Sequence, residues 1–180
     1  KHLLWPITLL LLASCSRGEK IEVRGKIQNG SGMVYLDRQE LAGVHPVDSS
    51  KIKEDGSFIL KDRIHLPTFY NLHLGDQKII PILIQPGESA GLTTSADAFS
   101  SAYEISGSPE SLLIRDLNRK LAATDRSLDS LRAILNMNPG IGDEDLAEIQ
   151  SASEKIIESQ RRYSIRFVIE NMHSLVSIYA

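Results

Sequence analysis

Ile21-Glu22-Val23-Arg24-Gly25-Lys26-Ile27 decides the fold class of this 180-residue chain. Ile21, Val23 and Ile27 share one side of an extended backbone, with Glu22, Arg24 and Lys26 on the other. Successive strand side chains point to opposite faces, so this two-residue period predicts a strand with one face buried. The pattern continues downstream. Asn29-Gly30-Ser31-Gly32 is a cluster of turn formers, and Met33-Val34-Tyr35-Leu36-Asp37 reads as a second strand. Val44 to Ile52 reads as a third, carrying Asp48, Ser49 and Ser50. Glu54-Asp55-Gly56 predicts an Asp-Gly hairpin turn before Ser57-Phe58-Ile59-Leu60-Lys61, since glycine supplies the positive φ such a turn needs. Further strands are expected at Phe69–Leu74, Ile79–Ile84, Ala90–Thr94 and Tyr103–Ser106, punctuated by Pro67, Pro81 and Pro86-Gly87. Pro81 lacks an N–H and argues against a central strand position. Seven or eight short strands at regular spacing predict an antiparallel β-sandwich over residues 21–107.

The period changes after Gly107. Ser108 is placed to cap a helix, with Pro109 at its first position and Glu110 in its first turn. Ile114, Leu117, Leu121, Leu128, Leu131 and Leu135 follow a three-to-four spacing, with Thr124 in the missing place, and Asn136 to Gly140 breaks it. Asp143 is the expected cap of a second helix carrying Leu146, Ile149, Ile156, Tyr163 and Phe167. Two such helices joined by a Pro-Gly loop predict a long antiparallel helical hairpin over 108–172. Ser174 reads as the cap of a further apolar helix, Leu175 to Tyr179, so that 173–180 is expected to be the start of a helix leading to a downstream domain. The expected class is therefore mainly β plus α, a sandwich followed by a hairpin, after an N-terminal signal peptide.

That peptide is read from Leu3 to Leu12, LLWPITLLLL, behind the basic Lys1 and His2. The run suits a signal-peptide core and is too short to span a bilayer. Leu12-Ala13-Ser14-Cys15 follows at once, an aliphatic residue, two small residues and a cysteine, the pattern of a bacterial lipobox. The small residues let the signal peptidase approach the backbone, and the Cys15 thiol is the nucleophile that takes the diacylglycerol. Residues 1–14 are expected to be removed, with a few residues expected before Lys1. Residues 15–20 serve as a polar tether, and lipid on Cys15 is the membrane attachment. Two or three acyl chains hold a protein stably, since each buried methylene contributes about 0.8 kcal/mol.

Composition narrows the partners. The whole chain has 20 basic and 23 acidic residues; the first 14 remove only Lys1, taking the net charge from −3 to near −4. That argues against nucleic acid and against polybasic attraction to anionic lipid. Cys15 is the only cysteine, so an acylated chain has no thiol for disulfides, thiolate zinc or redox exchange.

Several features in this order resemble a family. Ile21 to Ile27 gives an I-x-V-x-G-x-I strand, and Val34-Tyr35-Leu36 a V-Y-L strand. Asp48-Ser49 is followed by Ile52 and the D-G-x-F of Asp55–Phe58. Ile82 to Gly87 gives an aliphatic strand ending in Pro-Gly, and Ser106 to Ser108 an S-G-S step into a helix. The chain from about Ile21 onward resembles the domain-of-unknown-function 4369 family, N-terminal domains of Bacteroidetes envelope lipoproteins that usually precede a thioredoxin-like domain of the TlpA and ResA kind. Phe167 to Tyr179 is similar to the segment leading toward that domain, with His173 where proline is usual. The resemblance implies thiol–disulfide oxidoreductase activity in the full-length protein. Its Cys-x-x-Cys pair matches no position here, so the resemblance implies that this activity lies beyond Ala180.

No catalytic residue, metal ligand or cofactor site is expected on this chain. His45, His65, His73 and His173 form no ligand pair; His65 and His73 are candidates to approach across a sheet, with ordinary strand histidines the simpler reading. Asp143-Glu144-Asp145 suits a helix's first turn better than a cation site. Lys53 to Ser57 lacks the remaining ligands of a calcium loop. Arg161-Arg162 beside Glu158 reads as a solvated face, and Tyr35, Phe58, Phe69 and Tyr70 as packing residues before a ligand groove. The expected function is a non-catalytic, lipid-anchored envelope module on the inner or outer membrane, facing the periplasm or the cell surface. It would accompany a downstream thioredoxin-like domain and act with envelope proteins. The alternative is a stand-alone lipoprotein that binds glycan or peptide.

Overall fold

The computed structural model describes residues 18–75 and 78–180. The expected signal peptide, Leu12, Ala13, Ser14 and Cys15 lie outside the described residues. The chain runs β1 (Glu19–Gln28), β2 (Met33–Glu40), β3 (Gly43–Lys51), β4 (Ser57–Ile64), β5 (Thr68–Leu74), β6 (Lys78–Ile84), β7 (Ser89–Ser95) and β8 (Glu104–Ser106). Three helices follow, α1 (Pro109–Met137), α2 (Asp143–Glu170) and α3 (Val176–Tyr179). The strands form two four-stranded sheets, ordered β4-β1-β7-β8 and β3-β2-β5-β6.

Alternation drives the packing. Ile21, Val23 and Ile27 of β1 are buried, as are Val34 and Leu36 of β2, Leu72 of β5, and Ile80, Ile82 and Ile84 of β6. With Phe58, Leu60 and Leu92 they fill the space between the sheets, the arrangement that lets each sheet hide one face and solvate the other.

Two connections depart from the expected hairpin order. Strand β1 pairs β7 in parallel, Glu22 opposite Ser89 through Gln28 opposite Ser95, while the other pairings are antiparallel. Between β1 and β7 the chain lays down the whole second sheet, and so it returns to β1 running in the same direction. The Asp55-Gly56 turn is tight, with Gly56 at φ +81° and Asp55 Oδ1 accepting from Ser57 N and Oγ at 3.0 and 2.7 Å. It is not a hairpin within one sheet, because β3 and β4 belong to different sheets. Asp48 ties their edges together: its Oδ1 accepts from Ser49 N and its Oδ2 from Lys61 N, both at 2.8 Å.

Pro81 sits in β6, an edge strand. The N–H of Leu83, two residues on, points away from β5 and donates to Ser111 Oγ at 3.1 Å. Two-residue alternation aims the nitrogen of Pro81 at the same unpaired edge, where a missing N–H costs no ladder bond. Ser108 and Ser111 both donate to the Leu83 carbonyl, at 2.9 and 2.8 Å, so the start of α1 covers this edge.

Ser108 caps α1 as expected. Asp143 does not cap α2: the Leu146 N–H closes on the Gly142 carbonyl at 3.0 Å, which makes Gly142 the cap and Asp143 the first helical residue. Asp143, Glu144 and Asp145 lie in that first turn, where their charge meets the positive end of the helix dipole. Helix α3 starts one residue later than expected, with Ser174 Oγ accepting from Val176 N at 3.1 Å. Thr124 meets Gln160 and Lys120 lies over Tyr163, so α1 and α2 run antiparallel. Among the described residues, α1 beyond Leu117 and α2 before Phe167 contain no fully buried side chain. Their apolar stripes are half-buried because each helix has only the other to cover it. From Leu121 to Met137, α1 runs on for roughly 25 Å at 1.5 Å per residue.

Strand direction gives the sandwich two distinct ends. At the leading end lie Gly18, the β2–β3 turn, the β4–β5 and β6–β7 connections and the start of α1. Helix α1 then heads for the far end, since Arg119 reaches the Tyr103 carbonyl and Glu104 at the other end of β8.

Candidate functional site

The chemistry-bearing side chains gather near the leading end. Inward alternation along β2 runs Val34, Leu36, Arg38; along β4 it runs Phe58, Leu60, Asp62, Ile64; along β5 it runs Tyr70, Leu72. Arg38 and Asp62 are thus charges at core-facing positions of opposite sheets, and they pair. Asp62 Oδ2 accepts from Arg38 Nη2 and from the Tyr70 hydroxyl, the latter at 2.7 Å. The Asp62 side chain is 10% exposed. Arg38 Nη1 also reaches Glu40 at 3.3 Å, while its Nε is buried without a partner.

The hydrogen bond to Asp62 holds the Arg38 guanidinium above its ordinary range, against the opposing effect of burial. Burial, and then the bond to Asp62, pushes the Tyr70 phenol up. An unfolded tyrosine titrates near 10. Folded Tyr70 keeps its proton to higher pH, so unfolding releases a proton above about pH 10 and only there. Stability is therefore expected to be unaffected by this group below pH 10 and to fall as pH rises beyond it. Urea midpoints measured between pH 9 and 11 should decline less steeply for Tyr70→Phe than for the parent.

Beside the triad is an open groove of about 380 Å³ between the end of β2, at Gln39 and Glu40, and the β4–β5 connection, at Arg63 to Pro67. Arg63 Nη1 donates to the Gly18 carbonyl at 3.0 Å, which holds the start of the described chain on the rim.

The other candidates are dispersed. His65 lines the groove. His73 is on the opposite half of β5, stacked on Tyr35 with centroids 5.0 Å apart, its Nε2 3.0 Å from Asp37 Oδ2 and its Nδ1 donating to the Gly75 carbonyl at 2.9 Å. The two histidines do not approach each other. Phe58 and Tyr70 are core, Phe69 stacks on Tyr179, and Tyr35 is half-exposed, so the four aromatics form no common groove. Arg161 and Arg162 pair with Glu158 on the surface of α2. Among the described residues no group of three His, Cys, Asp or Glu is placed to hold a metal ion, and no helix is long and apolar enough to cross a membrane.

Sequence reasoning missed the Arg38–Asp62–Tyr70 triad, although the signal was present. Continuing the apolar alternation of β2 and β4 by one step lands on Arg38 and on Asp62.

These features define a two-sheet β-sandwich with an appended helical hairpin and a partly buried ion pair joining its sheets. The chain belongs to the family described as Domain of unknown function (DUF4369), which matches residues 21–112. The match takes in β1 to β8 and the first turn of α1, so the triad and the groove lie within the family's own domain. No curated protein matches the chain at a significant level.

Proposed function

We propose that the chain is a non-catalytic envelope module, held on a membrane by lipid on Cys15, that carries and positions a thioredoxin-like domain continuing beyond Ala180. The observation that carries the reading is Leu12-Ala13-Ser14-Cys15, a lipobox whose cysteine stands four residues before the first strand. A tether this short sets the sandwich close to the bilayer. Further support comes from the other terminus. Val176 of α3 is buried with Leu83, Ile114, Leu117 and Phe167, and the Tyr179 hydroxyl accepts from Asn118 Nδ2 at 3.1 Å. A domain following Ala180 would leave from a docked helix and so hold a defined position relative to the sandwich. Cys-x-x-Cys chemistry in that domain would exchange electrons with thiols or disulfides of envelope proteins.

Growth of the expressing bacterium with an alkyne fatty acid tests the anchor. The parent chain is expected to take up label and to fractionate with membranes, and Cys15→Ser to lose both. An unlabelled parent rules the anchor out. Sequencing the coding region past Ala180 tests the second half. A continuing frame with Cys-x-x-Cys supports it, and a stop codon within a few residues overturns it in favour of a stand-alone glycan- or peptide-binding lipoprotein.

A further inference from the structure

The leading end of the sandwich carries apolar side chains where connecting segments ordinarily carry polar ones. Its β2–β3 turn is Leu41-Ala42, in a position that usually goes to Gly, Asn, Asp or Ser, and Leu41 is as exposed as in an extended chain, at 112%. The β4–β5 connection presents Leu66 at 72% and the α2–α3 turn presents Met172 at 65%. Strand directions bring the first two to one end, on either side of the groove lined by Glu40 and Leu66. Ser174, bonded to Glu110 in the first turn of α1, brings the α2–α3 turn to the same end. The far end is built differently. Its turns at Asn29–Gly32 and Lys53–Gly56 are polar and glycine-containing.

We propose that this end is a bilayer-contact surface, with Leu41, Leu66 and Met172 dipping into the interfacial layer of the membrane that holds Cys15. The proposal rests on the reading of Cys15 as a lipid anchor. Gly18 lies at this end with its carbonyl held by Arg63. The three-residue step from Cys15 to Gly18 reaches at most roughly 10 Å, so the acyl chains would enter the bilayer beside the groove. Lys20 and Arg63 at this end are offset by Glu19, Glu40 and Glu88. Apolar insertion, and not attraction to anionic lipid, is therefore the source of the contact. Three separate apolar tips bind a bilayer weakly from solution. The tether changes this by making the contact intramolecular, at an effective concentration of about millimolar. Docked in this way, the sandwich stands on its leading end and α1 heads away from the membrane.

The test uses the full-length acylated protein in vesicles of phosphatidylcholine alone and with 30% phosphatidylglycerol (about one lipid in three, an ordinary anionic fraction). With Cys15 acylated and any cysteines beyond Ala180 replaced by serine, single cysteines introduced as Leu41→Cys, Leu66→Cys, Met172→Cys or, at the hairpin loop, Asn138→Cys are the only thiols available for an environment-sensitive fluorophore. All four positions are exposed, so the substitutions spare the core. Lipids carrying a nitroxide in the interfacial region are expected to quench the first three probes at least threefold more than the probe at 138, equally in both vesicle types. Mass spectrometry of the N-terminal peptide is read on the same samples. Acylated Cys15 with equal, low quenching at all four sites overturns the surface while leaving the anchor standing. Quenching that requires phosphatidylglycerol also overturns it, in favour of headgroup attraction. Absence of acyl chains on Cys15 overturns both readings.

Discussion

Asp62→Ala is expected to destabilise the sandwich by about 2–3 kcal/mol. That is below or at the foot of the range found when one partner of a fully buried ion pair is removed, because this pair is only partly buried. The Asp62 side chain is 10% exposed and accepts from two donors on the opposite sheet, Arg38 and Tyr70. Its loss leaves a partly buried guanidinium facing a buried hydroxyl. Arg38 already has an unpartnered Nε, and Glu40 at 3.3 Å is its other acidic contact. Asp62→Asn keeps an acceptor of the same shape without the charge. It should retain the Tyr70 bond and lose less, which separates the charge from the hydrogen bond. Urea titration of the three proteins measures the differences. A shift below 1 kcal/mol for Asp62→Ala would show that water enters and solvates the arginine, and that the sheets are not joined by this pair.

The second large effect is expected at Gly25. A β-carbon there would sit 2.7 Å from Phe58 Cζ and against the carbonyl oxygen of Leu92. The two obstacles differ in kind. Phe58 lies opposite Gly25 in the β1–β4 register, and its ring is a side chain that can turn. The Leu92 carbonyl belongs to the backbone of β7, paired with β1 on its other side, and it cannot yield without parting the strands. Overpacking a filled core typically costs about 1–3 kcal/mol, and Gly25→Ala is expected at or above the top of that range by thermal or urea unfolding. Phe58→Leu in the same chain should recover only part of the loss. Full recovery would show the ring to be the whole obstacle and the β1–β7 pairing to be looser than its geometry.

That contact also explains part of the family resemblance in physical terms. The glycine of I-x-V-x-G-x-I and the phenylalanine of D-G-x-F are 33 positions apart in sequence, from Gly25 to Phe58, and face each other across two strands. The aromatic ring covers the bare backbone, a device that compensates for a glycine inside a strand. The Asp-Ser motif has a similar role, with Asp48 holding Ser49 on its own strand and Lys61 on the other sheet.

Alternation made the strands and most of the core legible. Val23, Leu36, Leu60, Leu72 and Ile82 announce their burial by position alone, and the helical stripe from Ile114 to Leu135 announces the hairpin. Partnership between distant strands was not legible. Nothing local to Ser89–Ser95 says that it will lie parallel to β1, since that follows from where five intervening strands send the chain. Asp55-Gly56 announces a turn but not that the strands it joins lie in different sheets, for the same reason. Local chemistry sets a reversal of direction but not the sheet on each side of it. The ion triad was hidden by a different habit, that of ending an inward-facing row at the first charged residue. The exposed leucines at 41 and 66 are single residues in turns, below the length at which any periodicity registers.

The position of β1 also governs the order in which the chain can fold. Its backbone is complete only when β4, ending at Ile64, and β7, ending at Ser95, have both arrived on either side of it. Pairings between segments this far apart form slowly, because the loop between them must close before the bonds repay it. As the polypeptide emerges from its amino terminus, the first strand to appear is among the last to be secured. Until about residue 95 is available, β1 has one ladder edge satisfied at most, and the sheet around it cannot close. A chain with this topology keeps its first sheet open until Ser89–Ser95 has been made, an ordering that leaves the earlier part threadable while it is being synthesised.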